Sequence, residues 1–326
     1  MLDFFHAFLS SLAEELMSPQ KRIFIGYLLV AFVIALMFLA YRYRQKMTVM
    51  QRLHFLFSPS VWLSRSSQAD IKLWIINRLF FGNLTLRFVT KTAVATAIYV
   101  WLLEILGSTQ ASLENTPAWL ASFIFTFFLF VFDDYGRFWV HRLLHKIPVL
   151  WEFHKVHHSA EVLTPLTVFR THPVEGLLFS LVSILIQGAV MGVAIGIFGS
   201  QVSLSTIIGA NIFTFAFHLV GSNLRHSNIP IQYPRVAEYW FISPAQHQIH
   251  HSLAKRHYNK NFGVTFACWD RWHNSFHFSE KTRIHFGLRP GENSLEHGLI
   301  SLWLMPFRRA MSNKSDLQRP SSGDPG

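Results

Sequence analysis

Five apolar runs divide this chain, and its histidines gather in the stretches that follow the third and the fifth of them. The runs are Ile23 to Ala40, Val89 to Leu106, Trp119 to Val140, Gly176 to Phe198 and Ser200 to Val220. Each meets or approaches the roughly 20 residues a helix needs to cross a hydrocarbon core. Only 14% of the residues are charged, against about 25% in an ordinary soluble domain. The expected fold is therefore all-α: a polytopic membrane helical bundle carrying a histidine-rich helical cap. The last two runs are separated only by Gly199-Ser200 and read as a tight hairpin.

Charge sets the expected orientation. Nine basic residues fall between Tyr41 and Lys91, whereas Gly107 to Ala118 and the Gly199 turn have none. By the positive-inside rule the amino terminus and the two loops without basic residues face out, and the basic segments face the cytoplasm. Five crossings satisfy this arrangement, with Lys21 and Arg22 as its exception. Residues 141–175 and 221–290 then share the cytoplasmic side and can meet. The basic residues flank apolar spans and form no patch with aromatic readers, which points to anionic lipid headgroups and away from nucleic acid.

The single cysteine, Cys268, excludes an intrachain disulfide and a thiolate metal site and reads as a packing residue. Residues 1–22 read as an amphipathic segment with Phe4, Phe5, Phe8, Leu9 and Leu12 on one stripe, and without the pattern of a cleavable signal. Residues 23–131 form a transmembrane region with a basic loop, 132–290 the histidine-bearing domain, and 311–326, rich in Ser, Pro, Asp and Gly, a disordered tail.

Of 18 histidines, 16 lie between positions 141 and 297. Three clusters stand out: His141-Arg-Leu-Leu-His145, His154-Lys-Val-His157-His158 and His247-Gln-Ile-His250-His251. Spacings of three and four residues place side chains on one helical face, so each cluster aims imidazoles in one direction. That is a metal-site pattern. These eight, with His226 and His218 as further candidates, exceed what one ion needs and point to two metals. Imidazole alone does not choose among zinc, copper, iron and nickel. Asp134, seven residues before His141, is expected to accept the proton on a ligand's distal nitrogen, with direct ligation as the second option. Asp133 is expected either to join it or to pair with Arg137.

From about Phe132 to Phe276 the chain resembles the fatty acid hydroxylase superfamily, which includes sterol desaturases and alkylglycerol monooxygenase. The resemblance rests on Asp133-Asp-Tyr-Gly-Arg-Phe-Trp-Val-His-Arg-Leu-Leu-His145, Trp151-Glu-Phe-His-Lys-Val-His-His-Ser159, Asn223-Leu-Arg-His226, Ser243-Pro-Ala-Gln-His-Gln-Ile-His-His-Ser252 and the closing Asn261-Phe-Gly-Val-Thr-Phe-Ala-Cys-Trp-Asp-Arg271. It implies a membrane-integral diiron oxygenase with its metals on the cytoplasmic side. The implied ligands are His141, His145, His154, His157, His158, His226, His247, His250 and His251, with His172 and His218 as additions that could instead start a helix or sit in the bundle interior. After Trp269-Asp-Arg271 the chain departs from the family pattern with Trp272-His-Asn-Ser275, and His273 and His277 stay outside this ligand set.

A metal pair at the membrane surface meets an acyl chain or sterol sliding in from the bilayer. Unactivated C–H bonds call for a redox metal with dioxygen. No Gly-x-Gly-x-x-Gly follows a strand-like run, so electrons are expected from a separate donor protein or reductant. Tyr135, Trp139 and Trp151 could line the approach or belong to an interfacial aromatic belt. A zinc hydrolase is the rival enzyme, although no Glu lies inside a histidine cluster; a haem or metal-ion carrier is the non-enzymatic rival.

Overall fold

The computed structural model describes residues 2–44, 46–81, 90–107, 112–202, 211–289 and 297–312. Helices dominate them, and no β-strand longer than an isolated bridge is found among the described residues. In chain order the helices that position the site are α1 (Leu2–Met17), α2 (Ile25–Arg42), α3 (Arg65–Phe81), α4 (Lys91–Leu106), α5 (Ala118–Lys146), α6 (Pro148–His158), α7 (Pro173–Phe198), α8 (Ile212–Leu219), α9 (Pro244–His250), α10 (Cys268–Trp272) and α11 (Leu299–Ser312). The expected tail lies outside the described residues from 313 onward, while Met311 and Ser312 complete α11.

Among the described residues three helices are long and apolar enough to cross a membrane: α2, α5 and Pro173–Gln201, which is α7 with the short turn after it. Five crossings were expected. The second apolar run forms only the 16-residue α4, because Thr90 caps it and Gly107, at φ 60°, ends it. The fifth is described only at its ends, with α8 covering 8 residues.

The bundle is held by close helix contact. Gly188 and Gly192 of α7 face α4, and a Cβ at these positions would come within 2.6 Å of Val94 Cβ and 2.5 Å of Ala95 O. Only glycine admits this approach, as in the small-residue stripes by which helices pack in lipid. Beside it Ala95, Ala121, Phe125, Met191, Ala194 and Phe198 form one buried cluster. Asp133, between α5 and α7, pairs with Arg137 at 2.7 Å and accepts from Ser183 and Gln187, which satisfies a carboxylate on an apolar helix.

The start of the chain packs against the histidine-rich region. Arg22 Nη2 donates to Ser222 O at 3.4 Å, and Asn223 Nδ2 donates to Arg22 O at 3.1 Å. Further along α2, Ala31, Ala35 and Leu39 cluster with Leu224 and Ile229. The chain from Arg22 to Leu39, most of it α2, therefore lies along the 222–229 segment.

The 29 residues of α5 extend about 43 Å at 1.5 Å each, longer than a hydrocarbon core of about 30 Å. Its apolar turns come first, and His141 and His145 lie on its last turns.

Candidate metal centre

Each histidine cluster is placed by a local rule. Ile147 breaks α5 in extended geometry, and Pro148 starts α6 at the position where a missing N–H costs nothing, so α6 turns back toward α5. In the third cluster Ser243 and Gln246 form a reciprocal capping box, with Pro244 starting α9. His226 follows the 3₁₀ turn Ser222–Arg225.

These elements sort nine histidines into two sets. His141, His145, His154, His158 and His250 form one, and His157, His226, His247 and His251 the other; in each the ligand atoms lie within 4.8 Å of one another. Each His-x-x-His-His cluster is split between the sets. His154 and His158, four apart on α6, join His250, whereas His247 and His251, four apart across α9, join His157. The two helices thus clasp two positions between them.

The geometry fits bound metal. Two donors about 2.1 Å from one ion, at angles between 90° and 120°, are separated by roughly 3.0–3.6 Å. The Nε2 atoms of His157 and His226 are 3.2 Å apart, those of His226 and His247 3.0 Å, and those of His247 and His251 3.3 Å. In the five-histidine set the Nε2 atoms of His145, His154, His158 and His250 are buried with no hydrogen-bond partner. So many orphaned ring nitrogens facing one another would be costly without a cation among them. Burial pushes His154, His158, His226, His247, His250 and His251 well below the ordinary imidazole range, and His157 down to about 3, so these rings are neutral and can ligate.

Backbone carbonyls orient two of the rings. His141 donates through Nδ1 to Phe262 O, and His250 through Nδ1 to Lys260 O, both at 2.8 Å, which leaves Nε2 of each ring free to ligate. The supporting segment is itself braced: Asp270 accepts from the N–H groups of Phe262 and Gly263 at 2.8 and 2.7 Å, and Arg225 donates to Val264 O at 2.6 Å. A Cβ on Gly263 would come within 2.6 Å of Phe266 O, so this turn requires glycine.

The role expected of Asp134 needs correction. It accepts from Thr265 N at 2.9 Å, Phe266 N at 3.2 Å and Trp269 Nε1 at 2.8 Å, and among the described residues it bonds to no histidine. Seven residues from His141 it points to the segment that supports the ligands, not to a ligand. His172 caps α7 by accepting from Val174 N at 3.1 Å and meets Trp303 O through Nε2. His218 meets Ser222 Oγ at 2.8 Å and packs on Tyr27. Neither belongs to the two sets. His273 packs against Trp139 and Phe138.

Two polar residues escaped the sequence reading. Glu175, buried on the first turn of α7, places Oε1 3.2 Å from His154 Nδ1. Its legible sign was an acid just after Pro173, which reads equally as a solvated helix start. Arg170, fully buried, pairs with Asp70 at 3.0 Å and donates to Val156 O and Ser159 Oγ, fixing the end of α6 that carries His157 and His158. A partner 100 residues away left no local sign. Trp151 packs on His145 and His158, with ring centroids 5.0 and 5.4 Å away.

Residues 126–275 match the family model described as fatty acid hydroxylase. Alkylglycerol monooxygenase from Homo sapiens is 23% identical over 240 residues, covering 72% of this chain and 48% of that protein. Lathosterol oxidase from Homo sapiens is 28% identical over 182 residues, covering 55% of this chain and 54% of that protein. Ornithine lipid hydroxylase from Rhizobium tropici is 26% identical over 147 residues, covering 45% of this chain and 40% of that protein. The chain spans about half the length of the curated relatives it matches. No solved structure matches it.

Proposed function

We propose that this chain, whose residues 126–275 match the fatty acid hydroxylase family model, is a membrane-bound oxygenase that hydroxylates or desaturates a lipid at a two-metal centre. The observation that carries this reading is the division of nine histidines into two facing sets with orphaned ring nitrogens. His141, His145, His154, His158 and His250 would hold one ion, and His157, His226, His247 and His251 the other. Two irons there would supply the dioxygen-dependent oxidising power that an unactivated C–H bond demands.

The chain's own contribution is position. The ligands on α5 stand directly beyond its apolar turns, so an acyl chain or sterol in the bilayer reaches the centre without leaving apolar surroundings. Trp151 shields the His145 and His158 rings. The carbonyls of Lys260 and Phe262 hold His250 and His141 in one tautomer. Electrons come from a separate donor protein or reductant, and the basic segment between Tyr41 and Lys91 supports a cytoplasmic-facing centre. The relatives' names, a monooxygenase for alkylglycerol, a sterol oxidase and a lipid hydroxylase, all concern lipids and support that substrate class.

A zinc hydrolase fits less well. Catalytic zinc keeps three protein ligands, a water and a nearby base. Here the sets have five and four imidazoles, and Glu175 lies on the Nδ1 side of His154, away from its orphaned Nε2. The test is aerobic turnover of a membrane lipid extract by iron-loaded protein with a chemical reductant. Oxygen consumption coupled to a hydroxylated or unsaturated lipid, lost in His157→Ala, supports the reading; hydrolysed lipid without oxygen uptake contradicts it.

A further inference from the structure

Beyond the nine-histidine centre, His257, His277 and Glu280 bring three ligand atoms within 4.8 Å of one another. His257 is buried, while the side chains of His277 and Glu280 are each a quarter exposed. The tautomers can be assigned. His277 donates through Nδ1 to Phe278 O at 2.7 Å, which leaves Nε2 with its lone pair. Arg256 Nε donates to His257 Nε2 at 3.2 Å, so that nitrogen is also an acceptor and His257 Nδ1 carries the proton that meets Ser252 Oγ at 2.8 Å. Both Nε2 atoms face Glu280 Oε1, at 3.3 Å from His257 and 3.6 Å from His277. These separations fall in the roughly 3.0–3.6 Å range of donors sharing one ion.

Three lone-pair-bearing atoms facing one another require a positive charge, and in the structure it is the Arg256 guanidinium. Arg256 Nε also donates to Glu280 Oε1 at 3.2 Å, and Nη2 to Oε2 at 2.7 Å. That side chain is 58% exposed, so solvent can take over its hydrogen bonds when it leaves. Glu280 Oε2 keeps a second donor in Thr282 Oγ1 at 3.2 Å. Beside the group lies a cavity of about 270 Å³ lined by Arg256, His257, Thr282 and His285, with room for the water that would complete a coordination shell.

We propose that His257, His277 and Glu280 form a third metal site, which binds one borderline divalent cation such as Zn²⁺ when Arg256 swings aside. Two imidazoles and one carboxylate suit such an ion. A bound cation ties the turn after His251 to the segment 277–285, which already meets it through Leu253 N donating to His285 O at 3.0 Å.

The experiment is a Zn²⁺ titration of full-length, iron-loaded protein in detergent, with zinc and iron counted by elemental analysis after gel filtration. Wild type is expected to bind one more equivalent of zinc than His277→Ala or Glu280→Gln, with iron unchanged in all three. Arg256→Ala is expected to tighten that equivalent by about tenfold, the scale of one charge-assisted hydrogen bond. Equal zinc binding by wild type and His277→Ala, or zinc gained only as iron is lost, overturns the proposal. The one-equivalent difference between wild type and variant is read whatever metal fills the nine-histidine centre, so this result and the oxygenase reading stand or fall separately.

Discussion

The two histidine sets are built from the same sequence motifs but supported by opposite chemistry. In the five-histidine set His141 and His250 donate to backbone carbonyls and His154 lies against Glu175. The two carbonyls hold the ring protons on Nδ1, away from the Nε2 atoms that face one another. In the four-histidine set a cation, Arg225 Nη2, donates to His247 Nδ1 at 2.9 Å. That bond puts the proton of a neutral His247 ring on Nε2, the nitrogen that faces His226 and His251. The difference teaches that the two histidine sets are inequivalent: the five-histidine set turns the His141 and His250 lone pairs inward, whereas in the four-histidine set His247 would give up its Nε2 proton to take an ion.

The largest expected effect tests whether both positions are needed. His158→Ala and His251→Ala, one from each set, should each reduce lipid turnover to background; full turnover in either would mean that one ion suffices. Next, Asp134→Ala leaves Thr265 N, Phe266 N and Trp269 Nε1 without their acceptor. It should cost about 3–5 kcal/mol in a detergent unfolding titration, and the five-histidine position should lose metal first because its supporting carbonyls lie on that segment. An unchanged midpoint would remove Asp134 from this role.

Glu175→Gln sharpens the comparison. It should weaken metal at the five-histidine position by about 10–100-fold, the usual effect of removing a supporting carboxylate, and leave the four-histidine position alone. Competition with a chelator measures this; equal weakening of both positions would contradict the inequivalence. The smallest effects belong to His172→Asn and His218→Phe. Asn preserves a helix cap at position 172, and both variants should retain wild-type metal content and turnover within about a factor of three, since neither ring belongs to a set.

Most of the centre was legible because helical spacing is local. The spacings of three and four predict one face for each cluster, and the structure refines this by putting the first and last imidazoles of each His-x-x-His-His in one set and the middle one in the other. The histidine-bearing motifs also carried the family resemblance that the domain match supports. What was not legible depended on long-range pairing. Asp134 sits at ligand spacing from His141, yet its partners lie more than 130 residues away. Arg170 and Asp70 are 100 residues apart and show no periodicity. The contacts of Arg22 with Ser222 and Asn223, 200 and 201 residues away, likewise left no local sign.

The most direct measurement is the iron content of protein purified in detergent under low oxygen from iron-replete cells, beside the His250→Ala variant. About two irons per chain in wild type and about one in the variant, with turnover lost, is the result expected from two separately built positions. One zinc per chain, or iron that His250→Ala leaves unchanged, would contradict the two-metal oxygenase.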